Sequence, residues 1–135
     1  MNKELLTELF STDKDLLSMY HIEAPNSAEI CAERTLKDMK DANVEIVLIT
    51  KDIEVIGYYG VEKFGKLDFL TGFFLKPENR SKEQISKFWN EVDSKFTNGY
   101  LSGVYSKNTR AIEFLNKKAT SSYKLDDIVI FQIGR

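Results

Sequence analysis

The stretch from Leu67 to Lys118 constrains this chain most: an apolar strand, a polar turn, an amphipathic helix, a second strand and a second helix. Leu67-Asp68-Phe69-Leu70-Thr71-Gly72-Phe73-Phe74-Leu75 reads as the first strand. Lys76-Pro77-Glu78-Asn79-Arg80 ends it, because proline has no N–H for a ladder and restricts the residue before it. Ile85, Phe88, Trp89, Val92 and Phe96 then recur at spacings of three and four, which is one apolar stripe of a helix. Tyr100 to Ser106 predicts a short strand, and Asn108 opens the last helix. Two strands joined through a helix lie parallel with a right-handed crossover. A turn and a helix N-terminus are then left at the end of the first strand, where a ligand can sit.

The rest of the chain supplies partners for this unit. Leu5, Leu6, Leu9 and Phe10 share a helical face, continued by Leu16, Leu17 and Tyr20 after a break at Ser11-Thr12-Asp13. His21 closes this region and is expected to face solvent or be satisfied locally, and Ala24-Pro25 is a breaker. Asn26 and Glu29 have the spacing of a capping box. The helix they open carries Ala28, Cys31, Ala32, Thr35, Leu36 and Met39 on one side. From Val44 the period changes: Val44–Thr50 and Ile53–Val61 are rich in β-branched and aromatic residues, separated by Lys51-Asp52, which predicts a hairpin. Phe64-Gly65-Lys66 turns the chain into the Leu67–Leu75 strand. In the tail, a turn at Asp126-Asp127 precedes Ile128-Val129-Ile130-Phe131, a run that suits a strand buried on both faces. The order is helix, helix, β-β-β, helix, β, helix, β-β. The fold class is α+β, a mixed sheet with helices on both faces.

At 135 residues the chain is expected to be one domain, helical over 1–43 and a sheet with two helices over 44–135. Charged residues make up 30% and the formal net charge is −2, which lacks the basic excess of a nucleic-acid binder. Cys31 is the one cysteine, so no internal disulfide forms, and with one histidine it does not build a usual zinc site. No metal is expected. No apolar run is long enough to span a bilayer, and Asp13-Lys14-Asp15 follows too soon for a cleaved signal, so a cytosol-like setting is expected.

A helix beginning directly after a strand presents free N–H groups and a positive dipole end. Asn79-Arg80-Ser81-Lys82-Glu83-Gln84 is therefore where a phosphate would be held, with Arg80 and Lys82 in favour and Glu83 against. No glycine lies in the turn, although glycine is what lets backbone approach a pyrophosphate closely.

The order of elements resembles the GNAT superfamily of acetyl-CoA-dependent N-acetyltransferases. Ile53-Glu54-Val55-Ile56-Gly57-Tyr58 resembles the glycine-bearing hairpin strand of that family. Phe74 to Lys82 resembles its cofactor segment, an arginine-led pyrophosphate loop. Asn108, Ala111 and Phe114 are similar to its second signature. The likeness runs from about Val44 to the C-terminus. It implies a mostly antiparallel mixed sheet, acetyl-CoA as cofactor, and a splay between the Leu67–Leu75 and Tyr100–Ser106 strands that admits the thioester. Phe74, Leu75, Arg80, Ser81, Lys82, Gln84 and Asn108 would contact the cofactor; Asp68 would be the general base and Tyr105 the acid.

The departures are equally specific. The family's loop glycines would fall near Ser81, Glu83 and Ser86, and Leu115 stands where a proton-donating tyrosine is usual. Small GNAT-like proteins of tailed phages, described as internal virion or assembly proteins, look similar through the same strand–loop–helix and the same worn loop. Three functions follow as expectations. One is a protein that has lost its chemistry and serves in assembly or interaction, through a protein partner or self-association, in host cytoplasm or virion. The others are an active N-acetyltransferase and a CoA-binding regulatory module.

Overall fold

A computed structural model of the chain describes residues 1–19 and 26–134; Tyr20, His21 and the Ala24-Pro25 breaker lie outside them. The elements are α1 (Lys3–Ser11), α2 (Lys14–Met19), α3 (Ser27–Asp41), β1 (Glu45–Lys51), β2 (Glu54–Phe64) and β3 (Leu67–Leu75). A 3-10 turn (Pro77–Asn79), α4 (Lys82–Lys95), β4 (Tyr100–Tyr105), α5 (Thr109–Lys118), β5 (Ala119–Leu125) and β6 (Ile128–Ile133) follow. The six strands form one sheet in the order β1-β2-β3-β4-β6-β5. Every pairing is antiparallel except β3 with β4. The parallel crossover and the α+β class read from the sequence are both present.

Each face of the sheet carries a core. Leu6, Leu9, Phe10, Cys31, Ala32 and Met39 of α1 and α3 pack on Tyr58 and Phe74. Phe88, Trp89 and Val92 of α4 and its C-cap Phe96, with Leu115 of α5, pack on Tyr59, Leu70, Val104 and Phe131. The apolar stripe of α4 is thus core, and burial pushes the Cys31 thiol up, as suits a small apolar filler.

Several local expectations are corrected. Asn26 caps α3 by position but makes no side-chain cap bond, so the capping box does not form. Glu29 turns instead to Lys3, 3.2 Å away on α1. The first hairpin turns one residue later than the sequence predicts, at Asp52 and Ile53, with Asp52 at φ 57° and Ile53 fully exposed. Ile128, Val129 and Ile130 are only half-buried, so β6 is not covered on both faces.

The C-terminal ends of α4 and α5 are tied together. Asp93 accepts from Lys118 Nζ and, at 2.8 Å, from the Tyr100 hydroxyl, while the Lys118 ammonium lies 5.6 Å from the Trp89 ring centre. Burial, and then the bond to Asp93 and its charge, raise the Tyr100 pKa well above the usual 10.0. A tyrosine so raised stabilises the fold fully below its unfolded pKa and loses that contribution as pH climbs past it. Stability is therefore expected to fall above about pH 10, and Tyr100→Phe should flatten that loss in urea titrations at rising pH. Tyr59, also raised by burial, keeps a residual slope.

Gly57 makes the second test. A Cβ there would stand 2.2 Å from the Phe74 carbonyl oxygen across the β2–β3 ladder, which only backbone movement can relieve. Gly57→Ala is expected to cost about 2–3 kcal/mol in urea unfolding. Gly103→Ala should cost less, because its Cβ would meet no backbone atom and come no closer than 3.3 Å to a side-chain methyl, Ile128 Cγ2.

Candidate functional site

The β3–β4 seam is short. Phe69 pairs with Leu101 and Leu70 with Ser102, and the ladder stops there. At its end the buried Ser102 hydroxyl donates to the Leu70 carbonyl oxygen at 3.4 Å. Beyond it β3 runs on to Leu75 beside β2, while β4 stays with β6 as far as Tyr105 opposite Ile128. The two strands therefore part toward their C-terminal ends, where the resemblance implies a splay.

A bulge lies at the start of the opening. Tyr59 pairs with Phe73 and Val61 with Leu70, so Thr71 and Gly72 together face Gly60. Gly72 takes φ 82°, and a Cβ on Gly60 would stand 2.3 Å from the Thr71 carbonyl oxygen. The extra residue turns both Leu70 and Phe73 toward the α4–α5 core, leaving Phe74 to the α1–α3 core. Aromatic rings fill the space on the α4–α5 side. Phe73 meets Trp89 edge-on at 5.1 Å, and Trp89 stacks on Phe114 of α5 at 5.1 Å and 20°.

Arg80 stands at the open end. Its Nε donates to the Leu75 carbonyl at 2.7 Å, its Nη2 to Asp13 Oδ2 at 2.5 Å, and its guanidinium lies 5.5 Å from the Phe74 ring centre. Asp13 is 7% exposed and also caps α2, its Oδ1 accepting from Leu16 N at 3.1 Å. The corner between α1 and α2 is thus pinned to the turn before α4. Ser81 caps α4, its hydroxyl oxygen accepting from Gln84 N at 3.2 Å. Glu83 reaches along the helix to Lys87 at 3.5 Å, and Lys82 is exposed. Lys76, buried at the end of β3, donates to Glu54 at 2.7 Å, and that bond raises its pKa.

Asn108 caps α5, its Oδ1 accepting from Ala111 N at 3.3 Å, and Tyr105 ends β4 half-exposed. Phe74, Leu75, Arg80, Ser81, Lys82 and Gln84 therefore gather on one side of the opening, with Tyr105 and Asn108 at the end of the strand on the other. Asp68 does not join them. It sits near the start of β3, about 23 Å along the strand from Leu75, with its carboxylate 3.6 Å from Lys63. There it borders a hollow of about 80 Å³ shared with Lys66, Asn98 and Tyr100 at the opposite end of the seam. Leu115 is 0% exposed, packed in the core beside Trp89 and Phe131.

The residue that sequence reasoning missed is Asp13. In the sequence it marks only a break between helical stretches, whereas the structure makes it the cap of α2 as well. Nothing local announces a guanidinium 67 residues away. Asp13→Asn and Arg80→Ala, with the double variant, should show a coupling of about 1–3 kcal/mol in urea unfolding.

No family model matches the sequence, and no curated protein matches it. Solved structures do. The chain is similar to an acetyltransferase from Thermus thermophilus with a TM-score of 0.76 at 14% identity, over 96% of this chain and 88% of that one. It is similar to the PaiA N-acetyltransferase of Thermoplasma acidophilum, solved with coenzyme A, at 0.69 and 14%, over 98% and 92%. A GNAT-family acetyltransferase from Elizabethkingia anophelis with acetyl-CoA bound matches at 0.61 and 10%, over 76% and 83%. At such identities the shared property is architecture: this chain has the fold of the GNAT-family acetyltransferases.

Proposed function

We propose that this protein is a GNAT-fold interaction or assembly component whose acetyl-CoA cradle has been converted into structure. The observation that carries the reading is the engagement of Arg80. The cation that would receive a pyrophosphate already holds a buried carboxylate and a strand-end carbonyl. Two of its five N–H donors are thus committed, and a phosphate that took the place of Asp13 would leave that buried carboxylate uncompensated. The loop lacks glycine, Ser81 satisfies one first-turn N–H of α4, and Leu115, at the position where the resemblance implies a proton-donating tyrosine, is a buried hydrocarbon. The resemblance to phage virion proteins with the same worn loop supports a place in a particle or its assembly.

A second reading, cofactor binding with or without turnover, draws on the retained opening between β3 and β4 and on neighbours solved with coenzyme A or acetyl-CoA. If it held, acetyl-CoA would sit against Phe74 and Leu75 with Asn108 opposite. Tyr105, ending β4 on that side, would be the group left to donate a proton.

Thermal unfolding with millimolar acetyl-CoA separates the readings, since a ligand that binds the folded state alone must raise the midpoint. The expected result is no shift and no free thiol released with a pool of amines. A shift without thiol release would favour a regulatory CoA binder, and a shift with release an N-acetyltransferase.

A further inference from the structure

Half of one sheet face carries exposed apolar residues that belong to neither core. On that side β1, β2 and β3 lie under α1 and α3. The registers of β4, β6 and β5 place Gly103, Ile128, Ile130, Tyr123 and Leu125 on one common face. A Cβ on Gly103 would lie 3.3 Å from Ile128 Cγ2 and 4.0 Å from Ile130 Cγ1, which fixes these three on the same side. Tyr123 is 59% exposed and Leu125 58%. Among the described residues β5 is also the outermost strand, and its outer row of N–H and C=O groups has no neighbouring strand there.

From this edge we infer that β5 is a self-association strand, to which a second copy of this chain adds in antiparallel fashion about Ser122. The occupant follows from charge. β5 is preceded by Lys117-Lys118 and followed by Asp126-Asp127. A two-fold pairing about Ser122 brings the α5 end of one copy, with exposed Lys117, alongside the β5–β6 turn of the other, with exposed Asp127, twice. Parallel addition would set like charges together. Within the strand the same pairing puts Lys124 opposite Thr120, Tyr123 opposite Ser121 and Leu125 opposite Ala119, so no like charges meet. It also brings the two Tyr123–Leu125 patches together, and two six-stranded sheets become one. The other edge offers less, since β1 contributes Val47 and Ile49 to one core and Ile46 to the other. The inference deepens the interaction role proposed above and stands on residues remote from Arg80.

Sedimentation equilibrium on the full chain tests it. The expected species is a concentration-dependent dimer of twice 15.6 kDa. Tyr123→Asp should weaken it strongly. Lys117→Glu and Asp127→Lys should each weaken it several-fold, and the two combined should restore it, an outcome that unfolding does not produce. A chain that stays monomeric at millimolar concentration overturns the inference. So does a dimer indifferent to these changes, or a combined variant no tighter than its parents. Acetyl-CoA melting shifts on the same samples keep the questions apart, because mass decides the edge and the shift decides the cradle.

Discussion

The structure depends on a seam two residue pairs long. Antiparallel ladders join β1, β2 and β3 on one side and β4, β6 and β5 on the other, and only Phe69–Leu101 and Leu70–Ser102 link the halves as strands. A parallel contact so short supplies few hydrogen bonds. The halves are held mainly by what packs across them. Trp89 is the hub: Phe73 of β3 touches its edge, Phe114 of α5 stacks on its face, and Lys118 lies over it. Such aromatic contacts combine large apolar burial with a defined geometry. The same cluster lines the opening above the seam on its α4–α5 side.

Charge does the complementary work at the rims. The Asp13–Arg80 pair fixes the α1–α2 corner to the turn before α4, and Lys118–Asp93–Tyr100 closes the far ends of α4 and α5. Both tie elements distant in sequence, and both bury at least one polar group that would be costly unpaired. Both rims are thus served by partners within the chain.

Much of this is legible in the sequence, for definite reasons. The spacing of Ile85, Phe88, Trp89, Val92 and Phe96 specifies α4 and its buried side, because helical periodicity and burial coincide there. The strand–helix–strand order requires the parallel seam, and short connections dictate the β1–β2–β3 meander. What the sequence hides is long-range or conformational. Asp13 reads only as part of a helix break, because its partner Arg80 is 67 residues away. The Thr71–Gly72 bulge leaves no mark beyond a glycine in a strand. Ile128 and Ile130 read as buried because a run of apolar residues records hydrophobicity, not whether a helix arrives to cover it. Asp68 stands out as a charge in a central strand, but its register beside Lys63 puts it at the opposite end of β3 from Leu75 and Arg80.

The brevity of the seam also bears on how the chain assembles. The β1–β2–β3 meander and the β5–β6 hairpin close through turns of a few residues, so their loop entropy is small. Joining β3 to β4 requires α4 to be threaded and docked first, with little ladder energy to gain until Trp89 is seated. Folding is therefore expected to proceed from two quickly formed β-modules to a late docking step whose rate is set by the aromatic cluster rather than by strand pairing.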